Sequence, residues 1–399
     1  MDWILEEAKS LQDELVCNRR WLHRHPEVGL HLPETTAYVK SKLDEIGVPY
    51  KEICDSGLVV LLGKKPGKCI ILRSDMDALP MPDESGLPFA SENKGAAHTC
   101  GHDMHTAMML GVVKLLAAHE DEIEGTVKIV FQPGEEPLKG ALTMIKAGLL
   151  ENPTVDTAIT LHVSPLAEAP SGTVLVPRSG PILASCDSFR ITVNGKGGHG
   201  AWPNQGVDPI PIMARVLTAL QNIQTRELKA TDVTVLTYGS IHAGTAPNII
   251  PDSVVVEGTL RTFDENIRQF CLKRMSEIIT SISAAFRADG EMEVMGGCSP
   301  LVVDAALQKD VLRYMKDLLG DGARERTSGP SLGAEDFANV TNLSSGIQIV
   351  LSVGSKAEGN IYPPHNPKVL FKEEPMYIGT AALTCIGLRW LEDHKDKKN

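Results

Sequence analysis

Five short runs rich in β-branched residues recur along the chain: GLVVLLG from Gly57, CIILRSD from Cys69, TVKIVFQ from Thr126, DTAITLHV from Asp156 and IQIVLSV from Ile347. Each has the length and apolar density of a buried strand. Between them lie stretches of helical character, notably HTAMMLGVVKLLAAHEDE from His105 and ALTMIKAGLL from Ala141. Strands and helices that alternate in this way predict an α/β layer fold around a largely parallel sheet. The polar residues sit where the strands stop. Asp75 and Asp77 follow one run, Glu135 and Glu136 another, and His162 closes a third. Strand ends are where ligands bind in open α/β sheets.

From about Asp187 to Gly297 the pattern changes. SFRITVNG, DPIPIMARVLTALQNIQ, TVLTYGSIHAG, SVVVEGTLRT, DENIRQFCLKRMSEIITSISAAFRA and EMEVMGG read as strand, helix, strand, strand, helix, strand. That order is the ferredoxin-like α+β motif. Because α/β character resumes afterwards, the segment reads as an insertion. Residues 187–297 are expected as one domain, and residues 1–186 and 298–399 as the two parts of another. A chain of 399 residues is long enough to need two cores.

A formal net charge of −12 disfavours nucleic acid as a partner, since phosphate binding rests on clustered Lys and Arg. The start, MDWILEEAKS, carries acids where a secretory signal needs a basic stretch, and no apolar run reaches the roughly 18 residues of a membrane span. A cytoplasmic protein with no membrane partner is expected. The eight cysteines, at 17, 54, 69, 100, 186, 271, 298 and 385, are scattered as buried thiols are, not packed as in a disulfide scaffold. The terminal EDHKDKKN is expected to fray.

Only Cys100 lies among histidines and acids. HTCGHDMH, His98 to His105, sets three histidines, a cysteine and an aspartate at the head of an apolar helical run. A thiolate at Cys100 and an imidazole at His102, two apart on a loop, can face one ion; two apart within a helix they cannot. Alone, the segment reads as well as a polar helix start. QPGEEP, Gln132 to Pro137, changes that balance. Adjacent carboxylates on a turn repel each other, and a bound dication offsets the repulsion while one acid ligates and the other serves as general base. His162 alone would be a core histidine, and His365 in YPPHNP a loop histidine presented by flanking prolines. Together these residues have the donor types that two divalent ions require.

The ordered motifs WLHRHPE, RSDMDALP, HTCGHDMH, FQPGEEP, GKGGHGAWP, GTAPNIIP, GTLRTFD, GAEDF and PPHNP span nearly the whole chain. In them the chain resembles the aminoacylase and indole-acetyl-amino-acid hydrolase family of two-metal amidohydrolases. The resemblance implies a metallopeptidase-type catalytic domain with an inserted lid and dimerisation domain. It further implies two divalent ions held by Cys100, His102, Glu136, His162 and His365, with the Cys100 sulfur bridging and Glu135 as general base. Relatives with a His-x-Asp pair depart from this chain, which has Asp75 where that histidine would stand. The ions would be zinc or manganese, with cobalt or nickel as alternatives; thiolate favours a borderline-soft ion. Asp77 would orient a ligand histidine.

His199, in GKGGHGAWP, would stabilise the oxyanion, in many members from a partner subunit, so a homodimer or homotetramer through the lid is expected. Asn248 and Arg261 fit the positions that grip the substrate carbonyl or carboxylate. Glu335 and Asp336 carry no assigned role. The expected activity is hydrolysis of N-acyl amino acids, N-acetyl derivatives first among them, with a dipeptidase or carboxypeptidase as the alternative.

Overall fold

The computed structural model describes residues 3–395. The first two residues of MDWILEEAKS and the last four of EDHKDKKN lie outside the described residues. The chain forms two compact units. One comprises residues up to 180, 302–329 and those from 336 onward; the other comprises 181–301 and 330–335.

The first unit is built on an eight-stranded sheet. Its strands are β1 (Tyr50–Ile53), β2 (Gly57–Leu62), β3 (Cys69–Asp75), β4 (Thr126–Gln132), β5 (Thr157–Ser164), β6 (Val174–Val176), β7 (Ala323–Glu325) and β8 (Ser345–Ser352). They lie in the order β1-β2-β4-β3-β5-β8-β6-β7. All five apolar runs are strands of this one sheet. Its centre, β4-β3-β5-β8, is parallel throughout. Parallel strands end on the same edge, so Asp75, Gln132 and the His162 end of β5 come together there.

The sheet is largely parallel as expected, and its antiparallel pairs lie on the flanks. β2 runs antiparallel to β4, and β6 antiparallel to β8. For β2 the cause is local: only residues 63–68 separate it from β3, too few for a parallel crossover, so the chain turns back into β3, and β4 runs parallel to β3. An unbroken apolar run looks the same in either direction, so GLVVLLG carries no sign of it.

Near the site α1 (Gln12–Arg24) packs on two helices that cover the sheet, α2 (His102–Ala118) and α3 (Met376–Asp393). Helix α2 packs against α1, α3 and β3, and it is apolar on nearly every face because every face is covered. It begins at His102, three residues before the expected HTAMMLG start. Gly101 sets that start with a φ of 91°, and a Cβ there would lie 2.5 Å from Val163 Cγ2. Only glycine lets this turn approach β5 so closely.

The second unit has a four-stranded antiparallel sheet in the order Thr234–Ala243, Ser253–Thr262, Cys186–Asn194, Asp289–Cys298. With helices Pro209–Asn222 and Glu265–Ala285 this is the ferredoxin-like βαββαβ order. Asp208 and Asp264 begin the two helices, Asp208 accepting the Ile210 N–H and Asp264 those of Asn266 and Ile267. Strand Ser253–Thr262 alternates between buried and half-buried residues. Its buried side joins Phe189, Ile191, Met213, Val216, Met275 and Ile279 in one core. Truncating Phe189 to alanine there would cost about 3–5 kcal/mol.

Candidate metal centre

The carboxyl edge of the central strands places the expected ligands in contact. Cys100 sits in the turn before α2, and His102 is the first residue of that helix. Glu135 and Glu136 follow β4 in a turn opened by Gly134, whose φ is 71°. His162 lies within β5. His365 takes a φ of 63°, unusual for a residue with a Cβ, and its N–H donates to the Thr99 carbonyl at 3.0 Å. That bond ties the PPHNP loop to the Cys100 turn.

Ligand-type atoms of Cys100, His102 and His162 lie within 4.8 Å of one another, and so do those of Cys100, Glu136 and His365. The Cys100 sulfur therefore belongs to both groups. Glu135 joins Glu136 and His102 in a third. Hydrogen bonds fix which ring nitrogens are free. His102 Nδ1 donates to the Asp77 carbonyl at 2.7 Å, and His162 Nδ1 to the Val163 carbonyl at 2.7 Å. Each ring thus turns its Nε2 inward. His102 Nε2 and Glu136 Oε1 are buried and have no hydrogen-bond partner in the protein. Orphaned acceptors of these two kinds suit a cation.

Burial pushes the Cys100 thiol up to about 12 and, with help from Asp77 and Asp75, the Glu136 carboxyl up to about 7. Burial also brings His162 down to about 3, which keeps its ring neutral. A dication offsets the desolvation of thiolate and carboxylate, so the donor set fits divalent metal.

Asp77 stands behind the glutamate turn, its two carboxylate oxygens accepting the N–H groups of Glu135 and Glu136. Behind that lies a network that sequence reasoning did not assign. Arg73, buried in β3, donates to Asp75 at 2.6 Å, Asp336 at 2.9 Å and Gln132 at 3.1 Å. Asp336 also accepts from Gln132 and from the Ala141 N–H. The visible signal was an arginine and an aspartate inside the apolar CIILRSD run, where a charge needs a buried partner.

His199, Asn248 and Arg261 belong to the second unit. His199 pairs with Ile249 in a two-residue ladder, and Gly200 N–H donates to the Asn248 carbonyl at 2.9 Å. GKGGHGAWP and GTAPNIIP are thereby joined. Ala201 N–H donates to His199 Nδ1 at 3.1 Å. Arg261 reaches elsewhere, donating to the Leu332 carbonyl at 2.8 Å.

Comparison with known proteins agrees with this geometry. The description "Peptidase family M20/M25/M40" matches residues 71–388. The chain belongs to that family. It is 35% identical to thermostable carboxypeptidase 2 of Saccharolobus solfataricus, over 96% of this chain and 97% of that one. It is 36% identical to N-acetylcysteine deacetylase of Bacillus subtilis, over 97% and 99%. Among solved structures, a dinuclear metal binding M20 peptidase of Bacillus subtilis superposes with a TM-score of 0.79 at 29% identity, over 96% of this chain and 99% of that one. As a member of peptidase family M20/M25/M40 the chain is an amide-bond hydrolase with residue groups suited to metal. No described helix is long and apolar enough to cross a membrane.

Proposed function

We propose that this M20-family chain hydrolyses the amide bond of N-acyl amino acids, N-acetyl derivatives among them, with two divalent ions. Cys100, His102, Glu136, His162 and His365 would hold the ions. The observation that carries this reading is the Cys100 sulfur, which belongs to both the His102–His162 and the Glu136–His365 groups. When bound, the ions supply the positive charge that acidifies water and polarises an acyl carbonyl.

The residues of the chain do the rest. Glu135, held by Asp77 through its own backbone N–H, takes the proton of the attacking water and returns it to the leaving nitrogen. His199 serves as donor to the developing oxyanion, with its Nε2 left available by the Ala201 bond to Nδ1. Asn248 and Arg261 take the substrate's carbonyl and carboxylate, the latter suited to a guanidinium fork. The second unit acts as lid and as the surface of a homodimer or homotetramer.

The thiolate favours zinc among the candidate ions, with manganese the alternative, followed by cobalt or nickel. Eight free cysteines suit a reducing cytoplasm. The similarity to a carboxypeptidase supports a second reading, in which the acyl side is an aminoacyl group. A panel of N-acetyl amino acids against dipeptides, run on metal-replete enzyme, decides between them. Turnover of dipeptides alone would overturn the first.

A further inference from the structure

His105 is buried on α2, one turn beyond His102, and both its ring nitrogens are engaged. Nδ1 lies 2.6 Å from Asp75 Oδ1, while the Val163 N–H donates to Nε2 at 2.9 Å. A nitrogen that accepts a hydrogen bond carries no proton, so the ring's proton sits on Nδ1 and is donated to Asp75. Asp75, His102 and His105 do bring ligand-type atoms within 4.8 Å of one another. Yet His105 has no lone pair left for an ion.

What His105 holds is the backbone around His162. The β3–β5 pairing runs from Ile70–Thr157 to Arg73–Thr160 and stops short of His162. Beyond that point the Val163 N–H has His105 as its acceptor in place of a strand. The same residue's carbonyl accepts from His162 Nδ1, which turns His162 Nε2 to within 3.4 Å of Cys100 Sγ. At the other end, Asp75 is fixed by Arg73, itself fixed by Asp336 and Gln132. A continuous buried chain, Arg73–Asp75–His105–Val163, therefore runs from β3 through α2 to β5.

We propose that His105 is a positioning residue for His162: it takes the Val163 N–H on the side where β3 no longer pairs with β5, and so sets the ring that would ligate one of the two ions. This rests on the two-metal reading above. Asp75 is then the group that fixes the His105 tautomer, and neither residue is a ligand.

The two nitrogens can be tested separately, because a glutamine amide occupies the place of a histidine Nε2 and an asparagine amide that of Nδ1. His105→Gln can still accept the Val163 N–H; His105→Asn keeps only the bond to Asp75. Asp75→Asn leaves His105 in place; the Arg73 guanidinium, which can only donate, keeps the amide oxygen, so the NH2 faces the ring and His105 Nδ1 must accept, undoing the tautomer. Chelator-stripped wild type and the three variants would be titrated with cobalt(II) alone, following thiolate-to-cobalt absorption and stoichiometry, with thermal unfolding of the metal-free proteins alongside.

The expected result is two ions in wild type and affinities within about threefold of it in His105→Gln. In His105→Asn and Asp75→Asn one ion is weakened by about 10- to 100-fold, and the metal-free melting temperatures of the two His105 variants agree. Should His105→Asn fail to fold, Asp75→Asn against His105→Gln gives the same contrast. Wild-type uptake of two ions with all variants alike, or with His105→Gln as impaired as His105→Asn, overturns the inference alone. A wild type that binds no cobalt overturns the two-metal reading as well.

Discussion

Asp77 holds Glu135 by its backbone: Asp77 Oδ1 accepts the Glu135 N–H at 2.9 Å, and Oδ2 accepts that of Glu136 at 3.1 Å. One carboxylate thus sets the turn from which the proposed base and a proposed ligand both project. Asp77→Asn replaces one acceptor with an NH2 that faces an N–H, loosening one glutamate, while the backbone carbonyl that accepts from His102 is untouched. The expected outcome is a fall in kcat of about 10- to 100-fold with a loss of metal affinity of similar size. Steady-state kinetics with a metal titration checks this, and an unchanged kcat removes Asp77 from the positioning of Glu135.

Glu135→Gln keeps shape and burial but cannot accept a proton. Because the Cys100, Glu136 and histidine donors remain, metal content should stay at the wild-type level while kcat falls by about 10²- to 10⁴-fold. Elemental analysis and kinetics on the same preparation separate the two effects. Loss of metal together with activity would make Glu135 a ligand instead.

The sequence made strands and candidate ligands legible for the same reason: both depend on local pattern. The five apolar runs needed only their own composition to be read as strands, and Cys100, His102 and Glu136 needed only neighbours of suitable donor type. Direction was not legible, because GLVVLLG is buried in the same way whether parallel or antiparallel to β4. The Arg73–Asp336 pair joins residues far apart in the chain, and no spacing announces such a contact. His105 was visible within HTCGHDMH, but its use of both nitrogens depends on Asp75 and Val163, which only the folded sheet brings to it.

Stability should fall in mild alkali through His23. Burial disfavours its charged form, but Asp103 at 2.8 Å and Asp83 at 3.2 Å outweigh burial and push it up to about 9. With the folded value above the unfolded one of 6.5, the contribution is complete below about pH 6.5 and lost as pH rises through about 9. It amounts to about 3 kcal/mol for a group this buried. Urea unfolding of wild type and His23→Gln at pH 6 and pH 9.5 reads it as the difference between the two proteins, which should shrink at the higher pH. A difference that stays constant would show that His23 is not charged in the folded state.

The Arg73–Asp336 pair makes a prediction of a different sort, because both side chains are almost wholly buried and 2.9 Å apart. Removing either side chain takes an opposite charge from the other in a medium that solvates ions poorly, although Arg73 keeps Asp75. Asp336→Leu alone should therefore cost about 3–5 kcal/mol. Arg73→Met alone should cost as much, since it also takes the guanidinium from Asp75. In the double variant the uncompensated charge at Arg73 is gone, while Asp75, Gln132 and the Ala141 N–H have each lost a hydrogen-bond partner. Its cost should fall short of the sum of the singles by about 1 to 3 kcal/mol. Denaturant unfolding of the four metal-free proteins supplies the cycle, and strictly additive costs would mean that the two residues act on the fold independently.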